Sequence, residues 1–555
     1  MPMSEPSEEG PAAPRLLWRR LAGRAADGLA AALVLFALLL PVTIGGIRPG
    51  AFVRLPVEAL LGAALVLVLP ARARRPVAAL AGAGLGLLLI VKILDAGFHE
   101  VLVRPFDPIL DWALLRPAVK FLASSAGTAA AAGIVVATGV AILAVVAGMA
   151  LSAMRLATLA VRYDRTTTAA VAVLVPAWVT CAALGAQLVP GVPVASKGSA
   201  KLAYKHVRKA HATLKDKKAF ARMAEADAFR DMPKDRLLTA LRGKDVVLAF
   251  VESYGRSAIE TPPMSRRVLP VLDAGNRRLA AAGFSSRSGF LTSSTAGGGS
   301  RLAHATLLSG LWIDDQQRYR TLVSSDRLTL NRAFQRAGRR SVGVMPGVSR
   351  AWPEGSFFGY DTVYTSRDLG YRGPSFGWAT MPDQFTMAAF RRLEHGRRGR
   401  EPVMAEIPLL SSHAAWARVP TMIGWERVGD GSVYHRVPAT AHDPRALLGD
   451  PARVRVEYAR SIAYSLETLI SYVERYGDDR LVLIFLGDHQ PLPLVTGHGA
   501  SRDVPIGIVA RDRAVLDRIS AWGWQDGLRP GPAAPVWPMS VFRDRFLTAY
   551  GPRQQ

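Results

Sequence analysis

The distribution of apolar residues divides the chain into two dissimilar parts. Five long apolar stretches occupy the first 190 residues, at about 26–46, 55–71, 76–95, 129–152 and 168–190. A helix of about 20 residues crosses the ~30 Å hydrocarbon core of a bilayer. Most of the stretches approach or exceed that length, and the second is the shortest. We therefore predict a transmembrane domain of five helices over residues 1–190, in an integral, multi-pass membrane protein.

Basic residues in the short loops predict how these helices are oriented. With a cytoplasmic N-terminus, ten Lys or Arg residues fall in the inner segments 1–24, 71–75 and 153–167. Five fall in the outer loops, including Arg116 and Lys120. Cytoplasmic loops of membrane proteins carry the excess of positive charge. Five spans then place the remaining chain outside the cytoplasm, at the plasma membrane.

Residues 191–243 are strongly basic and predict juxtamembrane linker helices. Between Lys197 and Arg222 nine residues are Lys or Arg and one, Asp216, is acidic. A basic helix next to a span can lie against anionic headgroups, and a solvated linker helix is the alternative. The whole chain carries a net charge of +25, which favours anionic partners. The predicted outside location excludes nucleic acid as that partner, and the single Cys181 excludes an intramolecular disulfide and a cysteine metal cluster.

From Lys244 the pattern changes to that of an α/β domain, which we predict over residues 244–555. The apolar runs 245–251 and 481–486 are typical of strands buried on both faces. Glu252 follows the first run, and Asp488 and His489 follow the second. Because ligands bind beyond the carboxyl ends of strands in open α/β sheets, these side chains are candidates for one site.

A glycine-rich turn precedes the other candidate residue, Ser300. Gly297–Gly299 permit a sharp turn, and the pattern after them predicts a helix that begins at or near Ser300. Helix N-termini favour anions, so this serine could be a nucleophile toward a phosphoryl or sulfuryl centre; a plain helix cap is the alternative. Together with the imidazole and two carboxylates above, its oxygen completes a credible set of ligands for a divalent cation.

These residues resemble the alkaline phosphatase superfamily, in its membrane-anchored branch of lipoteichoic acid synthases, phosphoglycerol transferases and phosphoethanolamine transferases. Gly487-Asp488-His489 resembles the branch's metal motif. The resemblance implies an N-terminal five-helix transmembrane domain followed by an extracytoplasmic, sulfatase-like catalytic domain with a central mixed sheet flanked by helices. It assigns the roles as follows: Ser300 is the nucleophile; Glu252, Ser300, Asp488 and His489 are the metal ligands; and Arg350, Trp352, His413 and His498 bind substrate.

The sequence also departs from the branch. Its nucleophile is usually threonine, and the order of Arg350 and Trp352 is reversed relative to the Trp-x-Arg of lipoteichoic acid synthases. Ser300 lacks the x-Pro-x-Arg context that sulfatases need to form formylglycine. Cysteine pairs typical of many phosphoethanolamine transferases are absent. These departures leave the donor and the acceptor undefined.

The resemblance implies a metal-dependent phosphotransferase. It would move a headgroup phosphate from an anionic phospholipid to a glycan or lipid acceptor of the cell envelope, through a covalent intermediate on Ser300. One divalent ion is expected, and manganese, magnesium and zinc all suit the ligands. Two alternatives stay open: a membrane-anchored hydrolase of phosphoesters or sulfoesters, and an envelope binding protein that has lost catalysis.

Overall fold

The computed structural model describes residues 13–114, 119, 123, 127–196, 198–350, 352–376, 380–416, 418–439, 447 and 449–552. Arg116, Lys120 and Lys197, which entered the charge counts above, lie outside these residues. The chain forms two compact units: the first ends at residue 213, and the second contains Leu214 onward together with Val101–Val103. The division at residues 190 and 243 stays a prediction.

The first unit consists of apolar helices at the five predicted places. They are α1 (Ala13–Leu39), α2 (Val57–Val68), α3 (Ala71–Leu102), α4 (Thr128–Arg162) and α5 (Asp164–Leu184). All except α2 are long and apolar enough to cross a membrane. The helix α2 has only 12 residues, because Leu55 and Pro56 before it and Leu69 after it are extended. At 1.5 Å per residue, it rises about 18 Å.

Contacts within this unit show that α2 nevertheless runs between two opposite layers of it. One layer contains the segment after α5, and the other contains the start of α3 and the end of α4. At its first end, Leu55 pairs with Ala195, and Glu58 accepts a hydrogen bond from the Ala200 amide (2.8 Å). At its other end, Val66 packs in one cluster with Ala78 and Ala157. The two residues between α2 and α3 then join it to the start of α3. The second apolar stretch therefore carries the chain from one layer of the helical unit to the other, despite its length.

Two buried charges near the end of α3 have structural partners. The Lys92 ammonium donates to the carbonyls of Ala37 and Leu38 (2.8 and 2.9 Å) and to Ser199 Oγ (2.8 Å). It thereby satisfies carbonyl groups that the end of α1 leaves unpaired. Asp95 accepts from the Phe106 amide (2.9 Å) and contacts His206 Nε2 at 3.0 Å. These charges hold α1, α3 and the following helix α6 (Gly198–Glu225) together.

The second unit is built on a nine-stranded mixed sheet. Its strands are β1 (Asp245–Val251), β2 (Ser285–Thr292), β3 (Arg340–Met345), β4 (Thr362–Thr365), β5 (Val403–Leu409), β6 (Leu481–Gly487), β7 (Asp503–Ala510), β8 (Gln525–Asp526) and β9 (Val536–Pro538). They lie in the order β8-β2-β7-β6-β1-β5-β3-β4, and β9 pairs with β2. Only β7 and β8 run against the others. Each residue of β1 and β6 is buried, as their continuous apolar runs predict.

Helices flank this sheet on both faces. They are α7 (Ser257–Glu260), α8 (Ser265–Ala281), α9 (Ser300–Ser309), α10 (Gln316–Val323), α11 (Leu330–Arg336), α12 (Gly355–Phe358), α13 (Asp383–Phe390), α14 (Pro451–Tyr476), α15 (Pro493–Thr496), α16 (Arg513–Asp517) and α17 (Phe542–Ala549). One apolar cluster lies under α8 and α14, and a second lies under α9, α11 and α17. The predicted fold class, apolar N-terminal helices followed by a mixed sheet flanked by helices, is confirmed.

Candidate metal centre

Three predicted ligands meet at the carboxyl edge of the two central strands. β1 and β6 are parallel neighbours with Val251 opposite Gly487, so Glu252 and Asp488 leave the sheet side by side. One ligand atom each from Glu252, Asp488 and His489 lies within 4.8 Å of the others. His489 Nε2 is 3.5 Å from Glu252 Oε1 and 3.4 Å from Asp488 Oδ2.

Close approach of the backbones makes this geometry possible. A Cβ atom on Gly487 would lie 1.8 Å from the Tyr254 carbonyl oxygen, so only glycine fits before Asp488. Ser253 adopts a left-handed conformation (φ 58°) that turns the chain after Glu252. The Ser253 and His489 amides both donate to Asp488 Oδ1, at 2.7 and 2.8 Å. The carboxylates are therefore held by the turns that end their strands.

Ser300 joins the same cluster from the loop after β2. Gly297, Gly298 and Gly299 all have positive φ (72°, 153° and 88°), which lets α9 begin directly at the sheet edge. Gly299 is the cap and Ser300 the first helical residue. Its hydroxyl donates to Glu252 Oε2 at 3.0 Å and lies 3.2 Å from His489 Nε2. The serine oxygen thus contacts two of the three clustered residues.

The charged groups of this buried cluster shift the pKa values of one another. Burial opposes ionisation of Glu252, but the imidazoles of His413 and His489 and the Ser253 hydroxyl outweigh it and lower the Glu252 pKa to about 2. Burial and the negative charge of Glu252 raise the pKa of Asp488. Burial opposes the charged form of His489, yet Asp488 and Glu252 raise its pKa overall. Two carboxylates in mutual repulsion form a site that a cation would stabilise.

The residues present fit a divalent cation. Asp488 Oδ2 is buried and, among the described residues, accepts no hydrogen bond; its near neighbour is His489 Nε2 at 3.4 Å, and a buried carboxylate oxygen without a hydrogen bond is costly. It points into a set of oxygen and imidazole donors of the kind that magnesium, manganese and zinc accept. Glu252, Asp488, His489 and the Ser300 oxygen are the residues that would hold the ion.

His413 lies in a loop that hydrogen bonds hold at the same edge of the sheet. This loop follows β5, the other parallel neighbour of β1. Ser412 Oγ donates to the Glu252 carbonyl at 2.6 Å, and the Trp416 indole donates back to the Ser412 carbonyl at 2.7 Å. His413 Nδ1 lies 2.7 Å from the Ala414 carbonyl. A positive charge on His413 lowers the pKa of Glu252, so His413 lies within electrostatic range of the cluster.

The other three predicted substrate residues lie in loops of the same unit, away from these hydrogen bonds. Arg350 is exposed after β3, whereas Trp352 packs its ring on Phe358 and Tyr360 (centroids 5.5 and 5.9 Å apart). His498 lines a half-open cavity of about 450 Å³ that Gln490, next to His489, also lines. Substrate binding by Arg350, Trp352, His413 and His498 stays a prediction.

The structure adds residues that the motifs did not indicate. His304, one turn after Ser300 in α9, lies with Nδ1 3.0 Å from Glu406 Oε1. Asn331 and Tyr360 donate to the other oxygen of Glu406, at 2.9 and 2.5 Å. The four-residue spacing of Ser300 and His304 was the one available signal, since residues i and i+4 share a helix face.

No protein-family model and no curated protein sequence matches the chain. Solved structures similar to it include the lipooligosaccharide phosphoethanolamine transferase EptA from Neisseria meningitidis, an integral membrane protein, at 12% identity and a TM-score of 0.39, covering 94% of this chain and 95% of that one.

Two further solved structures are similar to a part of the chain. They are the lipoteichoic acid synthase LtaP from Listeria monocytogenes (13% identity, TM-score 0.36, 56% of this chain and 72% of that one) and the phosphoglycerol transferase GacH from Streptococcus pyogenes (13%, 0.35, 60% and 92%). These are the enzyme classes that the sequence resembles. Because each TM-score is below 0.5, we infer the function from the geometry of the site alone.

Proposed function

We propose that this protein is a metal-dependent phosphotransferase that moves a headgroup phosphate from an anionic phospholipid to a hydroxyl of a cell-envelope glycan or lipid. The observation that carries the proposal is the position of Ser300 Oγ, within hydrogen-bond distance of both Glu252 and His489 at the first turn of α9. A serine in this setting is activated as a nucleophile by its neighbours, and the helix N-terminus favours the negative charge that develops on it.

In the first half-reaction, Ser300 Oγ forms a bond to phosphorus of the donor lipid. The bond from phosphorus to the diacylglycerol oxygen breaks, and diacylglycerol leaves with the serine's proton. A divalent cation bound by Glu252, Asp488 and His489 would supply charge neutralisation of the phosphoryl oxygens and a lower pKa for the serine hydroxyl. Arg350 and His413 neutralise nonbridging oxygens, and Trp352 and His498 complete the substrate surface.

In the second half-reaction, an acceptor hydroxyl attacks phosphorus and the bond to Ser300 Oγ breaks. If water attacks instead, the same site is a hydrolase. The departure from the sulfatase motif around Ser300 favours a phosphoryl substrate over a sulfuryl one.

The anchor and the charge pattern support a location on the outer face of the plasma membrane. In the helical unit, α2 carries the chain between the two layers, so five helices separate the N-terminus from the second unit. The predicted inner segments carry ten basic residues and the outer loops carry five, which favours a cytoplasmic N-terminus. With five crossings, the site is then extracytoplasmic. Donor headgroups are confined to the leaflet beside it.

The experiment is a lipid assay on the full chain in detergent or vesicles. With phosphatidylglycerol labelled in its glycerol headgroup, manganese and an added alcohol, the wild-type protein should release diacylglycerol and carry a labelled adduct on the peptide that contains Ser300. Ser300→Ala should lose turnover by several orders of magnitude, because no other oxygen replaces the nucleophile. Full activity in Ser300→Ala would refute the proposal, and an adduct on Ser293, Ser294 or Thr295 would move the nucleophile along the loop.

A further inference from the structure

A second histidine, His304, lies one helical turn after Ser300 in a setting of its own. His304 is four residues after Ser300, so both project from the same face of α9. Its ring stacks on Phe250 with 3.7 Å between centroids and 12° between planes. Phe250 precedes Glu252 by two residues in the chain. The imidazole is therefore fixed between the nucleophile's helix and the strand that supplies a metal ligand.

Glu406 determines which ring nitrogen carries the proton. The carboxylate is buried in the middle of β5 and contacts Nδ1 at 3.0 Å. Its other oxygen accepts hydrogen bonds from Asn331 and Tyr360, so all its neighbours here are donors and it stays an acceptor toward the ring. Nδ1 of the neutral imidazole therefore carries the hydrogen, and Nε2 keeps a lone pair.

The Nε2 atom of His304 is free of hydrogen bonds from the described residues, which leaves it open to accept a proton. Among the described residues, Nδ1 makes the hydrogen bond of this ring and Nε2 makes none, while the side chain keeps 15% of its surface exposed. A positive charge on His304 would lower the pKa of Asp488, so the ring lies within electrostatic range of the candidate metal centre. An oriented imidazole with one open nitrogen is the arrangement of a general base.

We propose that His304 is the general base of the second half-reaction, oriented by Glu406; this inference rests on the proposed phosphotransferase function. As the acceptor oxygen bonds to phosphorus, its proton passes to His304 Nε2. The bond from phosphorus to Ser300 Oγ breaks, and its electron pair returns to Oγ. The proton on Nε2 then restores the Ser300 hydroxyl, whose own proton left with diacylglycerol, so atoms and charges balance over the cycle. Glu406 acts through His304 and is a positioning residue.

This assignment predicts that the two half-reactions separate. In His304→Gln the adduct on Ser300 should form at a rate within about 3-fold of the wild-type rate, while its transfer to glycerol should slow by about 10²-fold or more. The adduct, measured by intact mass after rapid acid quench with phosphatidylglycerol vesicles, should therefore accumulate. Trifluoroethanol, a more acidic alcohol that needs less help from a base, should reduce the difference between variant and wild type.

The matched control is His395→Gln. His395 is also buried and hydrogen-bonded at Nδ1, to Tyr472 (2.7 Å). The Arg400 side chain that donates to its carbonyl also pairs with Asp245 at the start of β1, so His395 lies at the opposite end of that strand from Glu252. Its substitution should leave adduct decay at the wild-type rate. His304→Asn serves as a second variant, and the metal-induced rise in melting temperature shows whether each variant retains a folded site.

Each outcome decides the assignment. Accumulation of the adduct in His304→Gln and, more weakly, in Glu406→Gln supports it. Equal loss of adduct formation and decay shows a structural role and overturns it, as does decay at the wild-type rate. If the wild-type protein itself forms no adduct on Ser300, the proposed function fails instead.

Discussion

Replacing Asp488 with asparagine tests the metal centre through stability as well as activity. Asp488 and Glu252 have oxygens within 4.8 Å of each other in a buried cluster. At an effective dielectric constant of about 20, two like charges at that distance repel by roughly 3 kcal/mol. Asp488→Asn removes one charge, keeps an oxygen for the amides of Ser253 and His489, and replaces Oδ2, which accepts no hydrogen bond from the described residues, with an amide nitrogen. Without metal, the variant should therefore be at least as stable as the wild type.

The same substitution should abolish the stabilisation that metal provides. An ion at 100 times its Kd adds about 2.7 kcal/mol to the stability of the protein that binds it, or about 4 °C in the melting temperature of a unit of this size. We expect manganese, after treatment with EDTA, to raise the wild-type melting temperature by this amount and to leave Asp488→Asn unchanged. The assay is thermal unfolding of the full chain in detergent, with bound metal measured by elemental analysis.

Asp383→Asn is the matched control, because Asp383 is also a fully buried carboxylate but is bonded to Ser411 and Ser465 rather than to the cluster. It should keep the full response to metal. If manganese stabilised Asp488→Asn as strongly as it stabilises the wild type, the ligand assignment would be wrong.

Three further predictions address the nucleophile, the buried network and the topology. Ser300→Thr should retain some transfer activity in the lipid assay, because it keeps a hydroxyl at the first turn of α9; complete loss together with loss of metal would show that the residue acts only in folding. Burial raises the Asp383 pKa to about 6 from an ordinary 3.8, so this group's contribution is full below pH 4 and is lost as pH rises through 6. Asp383→Asn should thus gain up to about 3 kcal/mol relative to wild type between pH 4 and 8, and a pH-independent difference in melting temperature would contradict this. Periplasm-dependent reporters fused after Pro49 and Gln555 should be active, and one fused after Arg75 inactive; equal activity after Pro49 and Arg75 would show that α2 does not cross.

The parts of the site that the sequence predicts are those carried by local patterns. Residues 246–251 and 481–486 are all apolar, so the two strands and the positions of Glu252 and Asp488 after them follow from the sequence pattern alone. The three glycines before Ser300 likewise indicate the turn that the structure contains. These signals lie within a few residues of the side chains they position.

The parts that the sequence does not predict depend on long-range contacts. Glu406 lies within an otherwise apolar strand, and its partners His304, Asn331 and Tyr360 come from elements up to about a hundred residues away. Nothing near Glu406 in the chain distinguishes it from an edge-strand charge. The length of α2 is set in the same way, because Leu55 is held extended by its pairing with Ala195 rather than by its own neighbours.

The short α2 has a consequence for where the chemistry takes place. The two ends of α2 contact opposite layers of the helical unit, which supports the proposed catalytic site on the outer side of the membrane. With a cytoplasmic N-terminus, that side has no supply of nucleotides to activate a phosphoryl group. The proposed covalent intermediate on Ser300 would solve this problem, because it would conserve the energy of the lipid phosphodiester until an acceptor hydroxyl arrives. A site that deprotonates the acceptor, as proposed for His304, then favours transfer only when the alcohol outcompetes water. On the proposed function, we expect the balance between transfer and hydrolysis to depend on how the loops of Arg350 and His498 hold the acceptor, rather than on the metal ligands.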